Sequence, residues 1–246
     1  QFALADALAS SRSAHSLILL GDPLQLSQVT QAVHPGGGGR SALGHVIGDE
    51  VILPENRGVF IEHTRRMHPD ICRFISDQLY EGRLFWHEDC ERQTTAAGTG
   101  LRWLKASHEG NSTSSVEEAL IVAQQITNLV GTPWTNFEGK ESPLTVNDFM
   151  VVTPYNDQVR TLRRVLESDL RTRGVPVGTV DKFQGGTAAV VFFSTATSTG
   201  ADVVRGVNFL FSRERLNVAI SRARCLAYLV CTEDLLNTRA RSVEEM

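Results

Sequence analysis

The sequence predicts an α/β fold, a mostly parallel sheet with helices on both faces. Two observations carry this: short apolar runs alternate with helical patterns along the chain, and the helical patterns open with legible start signals. The expected strands cover residues 16–20, 59–63, 101–104, 149–153, 189–194 and 226–231.

Taken in order, LILL at 17–20 forms a buried strand that runs into Gly21, Asp22 and Gln25. HPGGGGR at 34–40 is a flexible loop, and a domain junction falls between it and Thr64. Pro69 takes the first position of a helix whose apolar stripe is Ile71, Ile75 and Leu79. Ser115 and Glu118 form a capping box ahead of Ala119, Val122, Ile126 and Val130. After the strand at 149–153, Val159, Leu162 and Leu166 line a third helix. A short helix carrying Asn217 and Arg222 then feeds the last strand, CLAYLVC.

Composition bounds the function. With 246 residues, 41% hydrophobic and 21% charged, the chain is an ordinary globular sequence, which excludes disordered and fibrous classes. No apolar run is long enough to span a membrane. Cys72, Cys90, Cys225 and Cys231 show no C-x-x-C spacing, and the seven histidines are scattered, so neither zinc nor a disulfide framework is expected and no metal-ligand set is assigned. Buried thiols of this kind fit a reducing, cytoplasmic setting. The net charge of −4 is uneven: residues 151–246 hold 13 Lys+Arg against 10 Asp+Glu, so basic character gathers where most of the later motifs lie.

Five stretches can do chemistry. Asp22 and Gln25 stand just past a strand end, where open α/β sheets bind ligands and where polar turns are also common. In HTRRMHP, Arg65 and Arg66 precede a helix start; they suit either phosphate or a solvated basic surface. In TPYN, Thr153, Tyr155 and Asn156 offer a hydroxyl, an aromatic face and an amide, fitting a single strand with stacked bases or a plain turn and cap. Thr179, Gln184 and Gly185 sit in TVDKFQGG, whose glycines allow close approach of a ligand to the backbone. Arg222 and Arg224, two residues apart at a helix end, either offset its dipole or supply a cation for phosphoryl transfer. The lone E-x-K, Glu138 to Lys140, lies in a polar segment and gives little support to a nuclease.

In this order, GDPLQL, RRMHP, TPYNDQV, TVDKFQG and LNVAISRAR resemble successive motifs of superfamily 1B helicases, the group of the nonsense-mediated-decay and Okazaki-processing enzymes. The wording is also similar to bacterial members fused to a RecB-like nuclease, which implies a possible nuclease partner and a role in DNA repair. The resemblance implies residues 1–63 as the C-terminal part of a first RecA-like domain and linker, and 64–246 as the second RecA-like domain. Such proteins carry a phosphate loop and a D-E-A-G motif in the first domain. D-E-A-G normally falls just before a segment like QFALADALA, so the chain is expected to start just downstream of it.

ATP and Mg2+ are the implied cofactors, their main binding loop lying outside the chain, and single-stranded DNA or RNA is the implied track. By the same resemblance Gln25 senses the γ-phosphate and Arg66 and Arg222 are arginine fingers. Asp22, Arg65, Gln184, Gly185 and Thr187 border the nucleotide, with Gln184 coupling it to the strand held by Thr153, Tyr155, Asn156 and Thr179. The chain departs from the family at Arg65, where an aromatic is usual, and at Gly186 and Thr187, where a polar residue and Glu are usual. The expectation is a helicase fragment that cannot hydrolyse ATP alone. The alternative is a degenerate module that binds nucleic acid or a partner without turnover.

Overall fold

The structure is a computed structural model that describes residues 2–26, 38–183, 185–204 and 206–239. Gln184 and part of the glycine-rich loop therefore lie outside the described residues.

The strands in chain order are β1 (His63–Thr64), β2 (Phe85–Trp86), β3 (Thr94–Thr95), β4 (Gly100–Ala106), β5 (Pro133–Thr135), β6 (Glu141–Pro143), β7 (Phe149–Thr153), β8 (Val177–Thr179), β9 (Ala188–Ser194) and β10 (Ala223–Thr232). The helices are α1 (Leu4–Ser11), α2 (Ala42–Ile47), α3 (Pro69–Leu79), α4 (Val116–Leu129), α5 (Asn156–Glu167), α6 (Val207–Leu210), α7 (Arg213–Ile220) and α8 (Glu233–Leu236). The main sheet has five strands in the order β4-β10-β9-β7-β8, and every neighbouring pair is parallel.

Both faces of this sheet are covered, so its central strands β7 and β9 are buried at every position and read as near-continuous apolar runs rather than alternating. Phe149, Val151, Phe192 and Val230 pack against Val122 and Ile126 of α4 and Leu162 and Leu166 of α5. Their neighbours Met150, Val152, Val191 and Phe193 face the other way, onto Ile71 and Ile75 of α3 and Val218 and Ala219 of α7.

Several expectations are corrected. Residues 16–20 form no strand: Leu17 is half-exposed, and Ile18 and Leu20 are 85% and 86% exposed. An apolar run is buried only when flanking strands complete its ladder, and none of the described strands pairs with it. Of 59–63 only His63 enters a ladder, the two-residue β1 pairing with β2, while Val59 and Ile61 stay exposed. Val130 caps α4 rather than extending it. The short strand β8 and the small antiparallel sheet β3-β5-β6 lack an apolar run long enough to announce them.

The capping box forms by half. Ser115 Oγ accepts the Glu118 N–H at 3.1 Å, but the Ser115 N–H is taken by Gln158 Oε1. Glu118 turns inward and is fully buried. Its carboxylate accepts from Ser194 Oγ at 2.6 Å, the Ala196 N–H at 2.9 Å and Thr195 Oγ1 at 3.1 Å, with His108 Nε2 at 3.2 Å. The chain leaving β9 is thus pinned to α4 at the carboxyl edge of the sheet.

Candidate functional site

The amino edge of the sheet, where β9 and β10 begin, gathers residues distant in sequence. The Ala188 N–H donates to Arg222 O and the His68 N–H to Arg224 O, which docks the turn before α3 and the start of β9 on either side of the segment 222–224. Pro69 occupies the first position of α3, and His68 caps it through Nδ1, which accepts the Asp70 N–H. That cap holds the preceding arginines at the edge. Helix α7 ends at Ile220, so Arg222 stands in the turn beyond it and not on the helix as expected.

Arg222 is 2% exposed. Its Nη2 donates to Gln25 Oε1 at 3.3 Å and its Nη1 to Gly186 O at 3.4 Å, while Nε is buried with no partner among the described residues. Gln25 is oriented from its other end, Nε2 donating to Asp22 Oδ2 at 3.0 Å. Asp22 also accepts from Tyr80 Oη at 2.6 Å and from the Leu24 N–H at 3.0 Å. Asn217 Nδ2 donates to Leu24 O and Tyr80 Oη. The G-D-x-x-Q turn is therefore clamped onto α3 and α7 by side chains.

Arg66 reaches the same place, its Nη1 donating to Ser221 O at 3.2 Å while Gln93 Nε2 holds the Arg66 carbonyl at 2.7 Å. Arg224 Nη2 donates to Thr187 Oγ1 at 3.0 Å. Among the described residues, no carboxylate lies within ion-pair distance of Arg65, Arg66, Arg222 or Arg224. Burial and then the charge of Arg224 lower the Arg66 pKa; burial and then the charge of Arg66 lower that of Arg222, with Asp22 opposing. Burial first, and Asp22 second, raise that of Tyr80. Desolvated guanidiniums that repel one another and lack a counter-ion make a site that favours an anion. A cleft of about 530 Å³ opens beside them, lined among others by Gly21, Asp22, Gln25, Arg65, Arg66 and Ser221.

The structure thus brings Asp22, Gln25, Arg66, Arg222 and Thr187 together, with Arg65 exposed on the cleft wall. Gly185 lies at φ +96°, a conformation that suits glycine, and it is exposed. Thr153, Tyr155, Asn156 and Thr179 lie at the opposite, carboxyl edge, where Thr153 and Thr179 are register partners. Asn156 is exposed and begins α5, but Thr153 is fully buried and Tyr155 is 6% exposed. Tyr155 is therefore no open platform for a base: Phe209 lies 6.0 Å from its ring. Tyr80 and Gln93 were missed, because nothing in their own neighbourhoods says that they hold Asp22 and Arg66.

A five-stranded parallel sheet with helices on both faces and an unneutralised arginine cluster at one edge defines a class, the RecA-like, helicase-type α/β domain. The chain belongs to the AAA-domain family, whose model matches residues 41–234, and the curated proteins that it is similar to are named helicases. It is 30% identical over 191 residues to Helicase sen1 of Schizosaccharomyces pombe, covering 70% of this chain and 10% of that one. It is 30% identical over 236 residues to the DNA polymerase alpha-associated DNA helicase A of the same organism, covering 85% and 32%. Probable helicase senataxin of Homo sapiens is 26% identical over 245 residues, covering 88% and 8%. The chain spans no more than about a third of the length of these relatives.

Proposed function

We propose that this chain is the C-terminal part of an ATP-dependent nucleic-acid helicase or translocase, and that its arginine edge is half of the nucleotide site. The observation that supports this is the convergence of Gln25, Arg66 and Arg222 with no carboxylate among the described residues within ion-pair distance of either arginine. The donor set fits a polyphosphate: Arg65 and Arg66 line an open cleft, and the buried Arg222, its Nε without a partner among the described residues, lies behind Gln25 and Ser221, which line it too. In this reading the groups that hold magnesium and the β-phosphate belong to a first RecA-like domain, of which residues 1–63 are the tail. Residues 64–246 form the second.

ATP, when bound with Mg2+, supplies the phosphoryl group to be transferred. This chain's residues then stabilise and position. Arg222, desolvated and braced by Gln25 and Gly186 O, presents fixed positive charge where negative charge develops. Arg66, tied to Ser221 O beside it, adds a second cation, and Gln25 links Arg222 to the turn that Asp22 and Tyr80 clamp. Arg65 and Gly185 border the nucleotide, as does Gln184, whose placement lies outside the described residues. Single-stranded DNA or RNA runs along the carboxyl edge past Thr179, Asn156, Thr153 and Tyr155, and closing and reopening of the cleft moves the strand. The setting we propose is cytoplasmic, in DNA repair, with a RecB-like nuclease fused to the same protein.

The Thr187 to Arg224 hydrogen bond favours a second reading: where a carboxylate is usual a hydroxyl stands, so nucleotide binding is weaker and the module is retired as a motor. ATP hydrolysis with single-stranded nucleic acid decides between them. In the longer protein, Arg222→Ala is expected to lower turnover about 10³-fold with KM within a fewfold, while the isolated 246-residue chain turns over nothing. Unchanged turnover would return Arg222 to a structural role, and turnover by the isolated chain that Arg222→Ala abolishes would sink the half-site.

A further inference from the structure

We infer that Tyr155 and Arg215 form a slot for one base of a single-stranded nucleic acid, and that Phe209 of α6 occupies this slot as an internal plug. The inference rests on the carboxyl edge being the nucleic-acid edge and adds how that edge is closed. Phe209 is half-buried, 6.0 Å from the Tyr155 ring and tilted 38° to it, and the guanidinium carbon of Arg215 stands 4.2 Å from its centroid. An aromatic ring and a guanidinium are the two surfaces on which bases stack without regard to sequence. A side chain touching both fills the place a base would take.

Two further observations point to an occupant other than a hydrocarbon. Thr153 Oγ1 and Tyr155 Oη are buried and have no hydrogen-bond partner among the described residues. Stranding two hydroxyls costs stability that Val and Phe at the same places would not, so the polar groups serve a partner that arrives. The plug is also built to leave. Helix α6 is a single turn after Gly206, which has φ +82° and open space where a side chain would stand. The next residue, Leu210, is fully buried against Cys231 and Leu235, which anchors the turn while Phe209 changes place. Across the slot Arg215 Nη1 is 3.5 Å from Asp181 Oδ2, tying it to the loop that follows Thr179.

A site closed most of the time binds with an apparent affinity reduced by the open fraction, so removing the plug should tighten binding. The test is fluorescence anisotropy of the 246-residue chain with a fluorescein-labelled oligothymidylate, together with quenching of 2-aminopurine placed in the same oligomer. Phe209→Ala is expected to tighten binding on the order of tenfold and to deepen the quenching, and adding Tyr155→Leu to abolish both gains. Phe209→Leu keeps apolar volume and should show the same effects to a smaller extent, so it carries the test where the alanine variant does not melt cooperatively. Wild-type binding that neither Phe209 variant improves would overturn the plug and leave the nucleic-acid edge standing. A gain in affinity that survives Tyr155→Leu, with quenching unchanged, would overturn the slot. Absence of binding by the wild type and every variant at low salt would remove the edge and the slot together.

Discussion

The two edges of one sheet treat polar groups in opposite ways. At the amino edge, Arg65 and Arg66 line an open cleft with Arg222 buried next to it, no carboxylate among the described residues lies within ion-pair distance of them, and their positive charge is held ready for an anion. At the carboxyl edge, the charge of Glu118 is buried and surrounded by donors, and the hydroxyls of Thr153 and Tyr155 are hidden. The first edge gives up stability for binding; at the second, Glu118 locks the chain that leaves β9. An open α/β sheet is expected to bind ligands outside the carboxyl ends of its strands, and the arginine cluster here sits at the amino ends of β9 and β10. A site placed there has no preformed switch-point crevice and must complete itself against a second surface.

Strand β10 joins the edges, and its two thiols report on both. Cys225 near the amino end and Cys231 near the carboxyl end are each pushed up to about 12, chiefly by burial, with Arg224 pulling the first down and Glu118 pushing the second further up. Cys72 in α3 is likewise raised to about 12, by burial and then by Cys90. Because the folded values lie above the unfolded one, the contribution is whole below pH 9 and is lost as pH climbs from 9 toward 12. The loss should be on the order of 2 kcal/mol per thiol by pH 11, enough to threaten the whole fold. Urea midpoints measured from pH 8 to 11 should fall steadily, and replacing Cys225 and Cys231 by alanine should flatten the slope.

Cutting the lock comes next in size. Glu118→Leu leaves the Ser194 hydroxyl and the Ala196 N–H without their acceptor and Thr195 Oγ1 with only the longer bond to the Val230 carbonyl, and should cost about 3–5 kcal/mol in urea unfolding. A loss under about 1 kcal/mol would mean that the carboxyl edge is not locked by this carboxylate. The amino edge should answer with the opposite sign. Arg222→Met removes a desolvated, repelled cation and should stabilise the chain by about 1 kcal/mol, while abolishing the rise in melting temperature on adding inorganic pyrophosphate. Destabilisation by Arg222→Met would show that its bonds to Gln25 and Gly186 outweigh its burial. Smallest is Ile18→Lys, expected within about 0.5 kcal/mol because the side chain is 85% exposed. A buried strand at this place would lose several kcal/mol.

That last contrast shows where the sequence can be read and where it cannot. Phe149–Thr153 is recovered to the residue because a strand covered on both faces is buried at every position, and its first four residues are apolar. LILL has the same local signature, yet apolarity reports what would be buried if neighbours exist, and no strand among those described pairs with it. Pro69 and Ser115 were legible as helix starts because capping is local, but the destination of Glu118 was not, since its partners lie on β9 and beyond. The meeting of Gln25 with Arg222 spans most of the chain and was reached only through the family resemblance. Tyr155 was expected as an open stacking face for the same reason that its plug was missed: residue chemistry is visible in a sequence, and what covers it is not.

The position of β10 in the sheet has a kinetic consequence. It lies between β4 and β9, and Gly100 of β4 pairs with Leu226, about half the chain further on. During synthesis β4 emerges early and has no other strand to pair with until β10 leaves the ribosome, so its edge waits unpaired through the making of everything between. Contacts of such sequence separation slow folding and lengthen exposure to misassembly. A nascent chain stalled before residue 223 should be held by chaperones or lost to proteolysis, and release of the last strand should turn it, late and in a single step, into a protected domain.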